Sequence, residues 1–272
     1  MLRRYKPYTR LAEFWDKIGQ DRFSARMADY TLQILKRLKF QPRSILDLCC
    51  GTGTAALMLA KKGLEVYGLD GSSEMLRLAG NKAKKEKASV TFVHQRLPGF
   101  EIRRKGGLGI KTFDLVTSFY DSLNYLLKEE DLKACFRAVN VHLNPGGLFV
   151  FDMNTKEALK YLWGDKIYAR CRDDIAWIWQ SLFYERASQA DLRAVCFVRK
   201  GKHWERFEEV HTEKAYPVNT IKSQLHSAGF RVEHIYDCLK FTKPARKAYR
   251  IAVVARKIKT VSIVKVSRNK NL

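Results

Sequence analysis

Long apolar runs are absent from this 272-residue sequence. None approaches the roughly 18 residues that a membrane span needs, so no membrane partner is expected. The opening MLRRYKPYTR is basic, but no apolar segment follows it. A secretory signal is therefore not expected, and the cytoplasm is the expected compartment. Paired metal-ligating patterns are also missing. The six cysteines, Cys49, Cys50, Cys135, Cys171, Cys196 and Cys238, form no C-x-x-C pair and have no histidine at ligand spacing. That argues against zinc and against a disulfide framework, leaves no metal to expect, and predicts reduced, buried thiols. Internal repeats and low-complexity segments are absent as well.

Acidic residues are scarce. There are 28 against 51 Lys and Arg, a net charge of +23. The excess is uneven: +7 over residues 1–45, +3 over 46–155, +4 over 156–245 and +9 over 246–272, so sixteen of the 23 charges sit at the chain ends. Basic arms are able to neutralise phosphates, although a lysine-rich solvated surface is the plainer account. With 46% apolar and 29% charged residues, the chain reads as one globular domain over 1–257 with a basic tail over 258–272.

Apolar spacing predicts two helices within residues 8–39, on Leu11, Phe14, Trp15 and Ile18, then on Met27, Tyr30, Ile34, Leu35 and Leu38. From 44 to 155 short apolar runs alternate with helical patterns. SILDLCC, LEVYGLD, SVTFVH, FDLVTSFY and LFVFDMN read as strands. AALMLAKKG, SSEMLRLAGNKAKKEK (with Ser72 or Ser73 as its cap) and EEDLKACFRAVNVHL read as helices, and RRKGGLGIK as a surface loop. This alternation predicts an α/β fold: a doubly wound, mostly parallel sheet with helices on both faces. From about 166 to 213 the pattern changes to aromatic and β-branched runs at strand spacing, with turns at Asp173-Asp174, Gln189-Ala190-Asp191 and Gly201-Lys202. An antiparallel insertion of three or four strands after strand five is expected there. Its aromatics, Trp163, Trp177, Trp179, Phe183, Tyr184 and Trp204, are expected mostly to pack the insertion, with one or two walling a pocket. The α/β pattern resumes over 217–257 with VNTIKSQLHSAG, FRVEHIYDC and AYRIAVVARK.

The stretch ILDLCCGTGTAALMLAKKGLEVYGLD carries the chemistry. Gly51-x-Gly53-x-x-Ala56, with Asp70 nineteen residues beyond Gly51, matches a dinucleotide fingerprint, and an acid ending the second strand is able to accept ribose hydroxyls. The discriminating residue is Asp47. A pyrophosphate at the following helix terminus would meet its carboxylate, and like charges in a partly desolvated site cost on the order of several kcal/mol. S-adenosylmethionine carries an ammonium and a sulfonium and no phosphate, so Asp47 fits that cofactor better.

ILDLCCGTGTAALMLA resembles motif I of the class I S-adenosylmethionine-dependent methyltransferases, and VYGLDGSSEML resembles their second motif. FDLVTSFYDSLNYL and LNPGGLFVFDMNT are similar to the fourth and fifth strands. YTRLAEFWDKI is similar to the N-terminal helix of the branch acting on small molecules, and EEVHTEKAYPVNTIKSQLHSAGFRVEHIYD with YRIAVVARK to that branch's C-terminal part. The resemblance spans roughly residues 8–257. It implies a Rossmann-like seven-stranded sheet and S-adenosyl-L-methionine held by Tyr8, Trp15, Asp47, Cys49, Gly51, Gly53, Asp70, Gly71, Met75, Gln95 and Phe119. Within that set Asp70 takes the ribose, Met75 flanks adenine, and the N-terminal aromatics close over the methionine end. Two positions depart from the pattern: Cys49 stands where the family has its first loop glycine, and Gln95-Arg96 where it often has an acid for the adenine amino group.

Methyl transfer is an in-line displacement, so the protein supplies alignment, desolvation and, where the acceptor must lose a proton, a base. The strand-four end SFYDSLNY lacks the Asn/Asp-Pro-Pro-aromatic sequence implied for amino groups of bases and the Pro-Cys implied for pyrimidine carbon-5. Tyr120, Asp121 and Asn124 are candidates to orient or deprotonate an acceptor, with a turn-capping role as the alternative for Asp121. His211 is a candidate general base, with a packed, hydrogen-bonded role as its alternative. Asp152 and Asn154 follow strand five at the ligand-binding edge of such sheets. The leading expectation is methylation of an oxygen or nitrogen of a small molecule. A second makes RNA or a protein the acceptor, using the basic termini, and a third makes the chain a non-catalytic, cofactor-binding regulatory protein, on the strength of Cys49 and Arg96.

Overall fold

A two-residue strand, β1 (Arg4–Tyr5), and a 3-10 turn at Leu11–Phe14 precede the first long helix, α1 (Arg22–Arg37). The computed structural model of the protein describes residues 4–104, 106–107 and 109–258. The expected basic tail, Ile258 apart, lies outside the described residues. Where the spacing predicts a first helix, the chain makes only the 3-10 turn and then runs as turns to Asp21. Tertiary contacts override the pattern: Gly19 adopts φ +79°, and Asp16 is drawn to the Thr52 hydroxyl (2.6 Å) and the Lys82 ammonium (2.6 Å).

The alternating half follows as β2 (Ser44–Leu48), α2 (Thr54–Ala60), β3 (Glu65–Asp70), α3 (Ser73–Glu86), β4 (Val90–His94), β5 (Phe113–Ser118), α4 (Glu129–Val141) and β6 (Leu143–Asn154). Every residue of β2 is buried, as a strand covered on both faces requires. Ser72 is the cap of α3, its hydroxyl accepting the Met75 amide at 3.1 Å, and three acids in the first turn of α4 complement that helix's dipole. With α5 (Val218–Ser227), β11 (Phe230–Asp237) and β12 (Arg250–Lys257), the strands assemble in the order β11-β12-β6-β5-β2-β3-β4. Only β12 runs against its neighbours. One face packs Phe149 and Phe151 against Phe136 of α4 and Leu225 of α5; the other packs Ile45 and Val150 against Met27 and Ile34 of α1. This is the doubly wound, Rossmann-like sheet that the alternation predicts. Among the described residues no helix is long and apolar enough to cross a membrane.

The insertion is a four-stranded antiparallel meander, β7 (Ile167–Arg172), β8 (Ile175–Tyr184), β9 (Gln189–Lys200) and β10 (His203–Lys214), to which β1 adds in parallel along β10. Its middle turn falls at 185–188, not at Gln189–Asp191, because Ser188 takes the left-handed conformation and Gln189 already pairs with Lys214. Trp163 belongs to a π-helical turn, Ala158–Trp163, before the strands. Trp204 and Tyr184 are exposed and pack nothing central, and Cys171 is an exposed thiol where burial was expected.

Phe207, Cys196 and Trp177 of this second sheet bury against Leu11, Phe14 and Ile18, so the N-terminal segment is the filling between the sheet and the rest of the molecule. Glu209 fixes it there. Its fully buried carboxylate accepts the backbone N–H groups of Tyr8 (2.7 Å), Thr9 (3.1 Å), Arg10 (2.7 Å) and Leu11 (2.9 Å). Hydrogen bonds to a charged acceptor are the strong ones. Replacing Glu209 by Ala is expected to cost roughly 3 kcal/mol in urea-induced unfolding and to open residues 4–21 to limited proteolysis. A variant as stable and as protease-resistant as the parent would remove this clamp from the account of the fold.

Candidate active site

The sheet changes direction at β2, flanked by β3 on one side and β5 on the other, and ligands bind at the carboxyl ends of the strands at such a point. A cleft of about 310 Å³ opens there. Its floor is the loop from Cys49 to Gly53. Gly51 (φ +54°) has open space where a Cβ would stand, so a ligand can lie against bare backbone; at Gly53 (φ +79°) a Cβ would press on Ala79 at 3.1 Å. Cys49 holds φ +54° without being glycine, a strained conformation at the floor of the cleft. Asp70 ties the loop to the next helix by accepting the Gly51 N–H and the Ser72 N–H, both at 2.8 Å, which leaves further lone pairs on both oxygens. Burial raises its pKa.

Most residues expected to hold the cofactor line this cleft: Tyr8, Trp15, Cys49, Gly51, Asp70, Gly71, Met75, Gln95 and Phe119. Gly53 and Asp47 do not. Gly53 is turned against Ala79 and Phe92. Asp47 lies behind the loop, buried and bonded to the Thr117 hydroxyl at 2.7 Å. Burial, with Asp70 nearby, pushes its carboxyl up to about 7. Gln95 lines the cleft while its side chain closes its own loop, accepting from the Glu101 N–H and donating to the Glu101 carbonyl (2.9 Å each), which leaves one lone pair on its oxygen. The cleft is roofed by the N-terminal segment, where the Ser72 hydroxyl donates to the Tyr8 carbonyl at 2.7 Å and the Tyr8 and Trp15 rings meet edge to face.

A second cavity, about 580 Å³, lies between this roof and the insertion sheet. Tyr8, Trp15, Tyr120, Asp121 and Tyr125 line both cavities, so the two share a wall. Trp163, Trp177 and Trp179 wall the second. Its polar floor is one network. Tyr120 and Asp121 both hold positive φ (+60° and +52°), and the Asp152 carboxylate accepts both of their N–H groups (2.7 and 3.0 Å), which holds this strained pair in place. Arg250 donates to Asp152 and Asp121, and Asn154 donates to Asp121 (2.7 Å) and Glu213 (2.9 Å). Asn124 is a cross-brace between the Asn154 and Lys214 carbonyls, not a group facing an acceptor. Burial, and then the charge of Asp121, raises the Glu213 pKa well above the ordinary range, and burial raises the hydroxyls of Tyr8, Tyr120 and Tyr125.

His211 sits at the end of a chain of rings: the Tyr8 and Tyr125 hydroxyls are 2.7 Å apart, and the Tyr125 hydroxyl is 2.9 Å from His211 Nδ1. Its Nε2 is buried 3.3 Å from Glu209 without hydrogen-bond geometry. Glu213, Arg250 and the structural part played by Asp152 were not among the sequence candidates. A signal for Glu213 exists, since Glu209, His211 and Glu213 alternate along β10 and therefore share a face.

A family model for a methyltransferase domain matches residues 45–147. A methyltransferase-named protein of Geobacillus sp. (strain WCH70) is 31% identical over 253 residues, covering 92% of this chain and 99% of its own length. The crystal structure of an S-adenosylmethionine-dependent methyltransferase from Clostridium acetobutylicum superposes with a TM-score of 0.80 at 28% identity, over 92% of this chain and 98% of that one. The chain belongs to the class I S-adenosylmethionine-dependent methyltransferases. A further relative of this methyltransferase is the dTDP-3-amino-3,4,6-trideoxy-alpha-D-glucopyranose N,N-dimethyltransferase of Streptomyces venezuelae, 24% identical over 220 residues, covering 80% of this chain and 88% of the relative.

The residues present fit the cofactor: bare backbone at Gly51, free lone pairs on Asp70, and at 47 a buried carboxyl that has no cationic partner among the described residues. In the folded methyltransferase Asp47 keeps its proton up to about 7, whereas the unfolded chain releases it near 4. The folded state thus binds more protons across that window, and this group's contribution to stability falls as pH rises from about 4 to 7. Affinity for the cationic cofactor runs the other way. It is expected to increase between pH 6 and 8 and to lose that dependence in Asp47→Asn, read by titration calorimetry; an unchanged slope in the variant would exclude Asp47. Asp70→Ala is expected to weaken S-adenosylhomocysteine binding at least about 100-fold, and unchanged affinity would overturn a ribose role for Asp70.

Proposed function

We propose that this methyltransferase transfers a methyl group to an oxygen or nitrogen of a small-molecule acceptor bound in the cavity beneath the insertion sheet. The observation that carries the reading is the chamber itself: about 580 Å³, walled by tryptophans and sharing Tyr8, Tyr120 and Tyr125 with the cofactor cleft. Pockets of this size, mostly apolar with a few convergent polar groups, suit small ligands. The Streptomyces relative, whose name gives a nucleotide-linked amino sugar as its substrate, supports a small acceptor.

In this reading Asp70 holds the ribose, Met75 flanks the adenine, and Cys49 and Gly51 present backbone to the methionyl part, with Asp47 compensating its charge from behind. The bound cofactor supplies an electrophilic methyl group. Tyr8, Trp15 and Phe119 exclude water, and Tyr120 and Asp121, held by Asp152, align the acceptor. His211 orients the Tyr125 and Tyr8 hydroxyls.

The test is incubation of the purified protein with methyl-labelled S-adenosylmethionine and a cell extract, followed by separation of small molecules, RNA and protein. Label accumulating above a no-enzyme control in the small-molecule fraction is the expected outcome. Label confined to RNA or protein would replace this reading with one that uses the basic chain ends.

A further inference from the structure

We infer that Glu213 is the acceptor-binding and proton-accepting residue of this enzyme, and that the acceptor is an amine presented as its ammonium ion. The inference deepens the small-molecule reading and rests on it. Glu213 is 1% exposed, yet it lines the acceptor chamber beside Tyr8 and Tyr125, which themselves face the cofactor cleft. Its Oε2 accepts from Asn154, and its Oε1 makes no hydrogen bond among the described residues.

The charges around it are unbalanced. From the β5 end come Asp121 and the Tyr120 hydroxyl, from the N-terminal segment Tyr8, from the turn after β5 Tyr125, from β6 Asp152 and the neutral Asn154, from β12 Arg250 and from β10 itself His211, while Arg170 and Arg172 of β7 line the chamber from exposed positions. Three buried carboxyls thus share one guanidinium, and Arg250 is spent on the other two: it donates to Asp121 and Asp152, not to Glu213. Unpaired buried charge is costly, and a second cation in the chamber would relieve it. The tryptophan walls nearby suit the apolar body of such a ligand and the flank of its ammonium. An alcohol or phenol would bring no compensating charge.

Proton balance explains why a carboxyl is placed here. The acceptor enters as R–NH3+. Glu213 Oε1 takes one proton from it, freeing the nitrogen lone pair. The nitrogen–methyl bond then forms as the methyl–sulfur bond breaks, and the electron pair of the broken bond stays on sulfur. A solvated carboxylate is far too weak a base for an ammonium; burial and the neighbouring Asp121 raise the affinity of Glu213 for that proton and narrow the gap.

Benzylamine and benzyl alcohol are matched probes, to be titrated calorimetrically into the full-length protein saturated with S-adenosylhomocysteine. The expected result is benzylamine binding at least about tenfold tighter than the alcohol, with the preference lost in Glu213→Gln while S-adenosylhomocysteine affinity stays unchanged. Equal binding of the two probes, no measurable benzylamine binding, or a preference that survives in Glu213→Gln would overturn the inference. The wild-type protein provides a second reading that needs no variant. Benzylamine affinity is expected to rise with pH as Glu213 releases its proton, while benzyl alcohol affinity stays level; level behaviour for both would also overturn it. The labelling experiment separates the two readings. An O-methylated small molecule would leave the proposed function standing and sink this inference, whereas label in RNA or protein would sink both.

Discussion

The carboxylate of Glu209 collects four consecutive backbone amides of the N-terminal segment, and much of the active site depends on that contact. Tyr8 and Trp15 roof the cofactor cleft with residues 8–11 held against β10, Tyr8 also tied to Ser72 and Asp16 to Thr52 and Lys82. The same contact places Leu11, Phe14 and Ile18 under the insertion sheet, so one buried charge joins the second sheet to the first. Such a carboxylate is stable in a dry interior because each lone pair it turns inward meets an N–H donor. Glu208, next to it on β10, turns to the other side and gathers Arg4, Arg193 and Arg206, so two adjacent acids pin the segment from both faces of one strand.

A comparable device shapes the turn that follows β5. Tyr120 and Asp121 occupy a conformation that non-glycine residues avoid, and the Asp152 carboxylate holds both amides while Arg250 neutralises it. Strain of this kind persists where the surroundings over-determine it. It holds Tyr120 and Asp121 in the wall that the two cavities share.

Parts of the site were legible in the sequence because they are local. The loop from Cys49 to Gly53, the acid closing β3 and the cap at Ser72 all act within a few residues of their own strand ends, and spacing alone reports such geometry. The bracing part of Asn124 was not legible, because its side chain is taken up by backbone groups of other segments, at Asn154 and Lys214. Asp47 was legible as a charge that selects a cation, but its retreat behind the loop was not, since that depends on Thr117 in a neighbouring strand.

The sequence by itself determined the doubly wound sheet and the antiparallel insertion, because periodicity and turn chemistry operate over short stretches of chain, while the cofactor was legible through the charge of Asp47 and the motifs by which the chain resembles its family. Only the tertiary structure decided that Glu209 holds residues 8–11 in place, that Glu213 lies in the chamber beside Tyr8 and Tyr125, and that Asp121 and Asp152 share one arginine. Those facts join strands far apart in the chain, and a buried charge acquires its proton affinity from whatever the fold brings beside it.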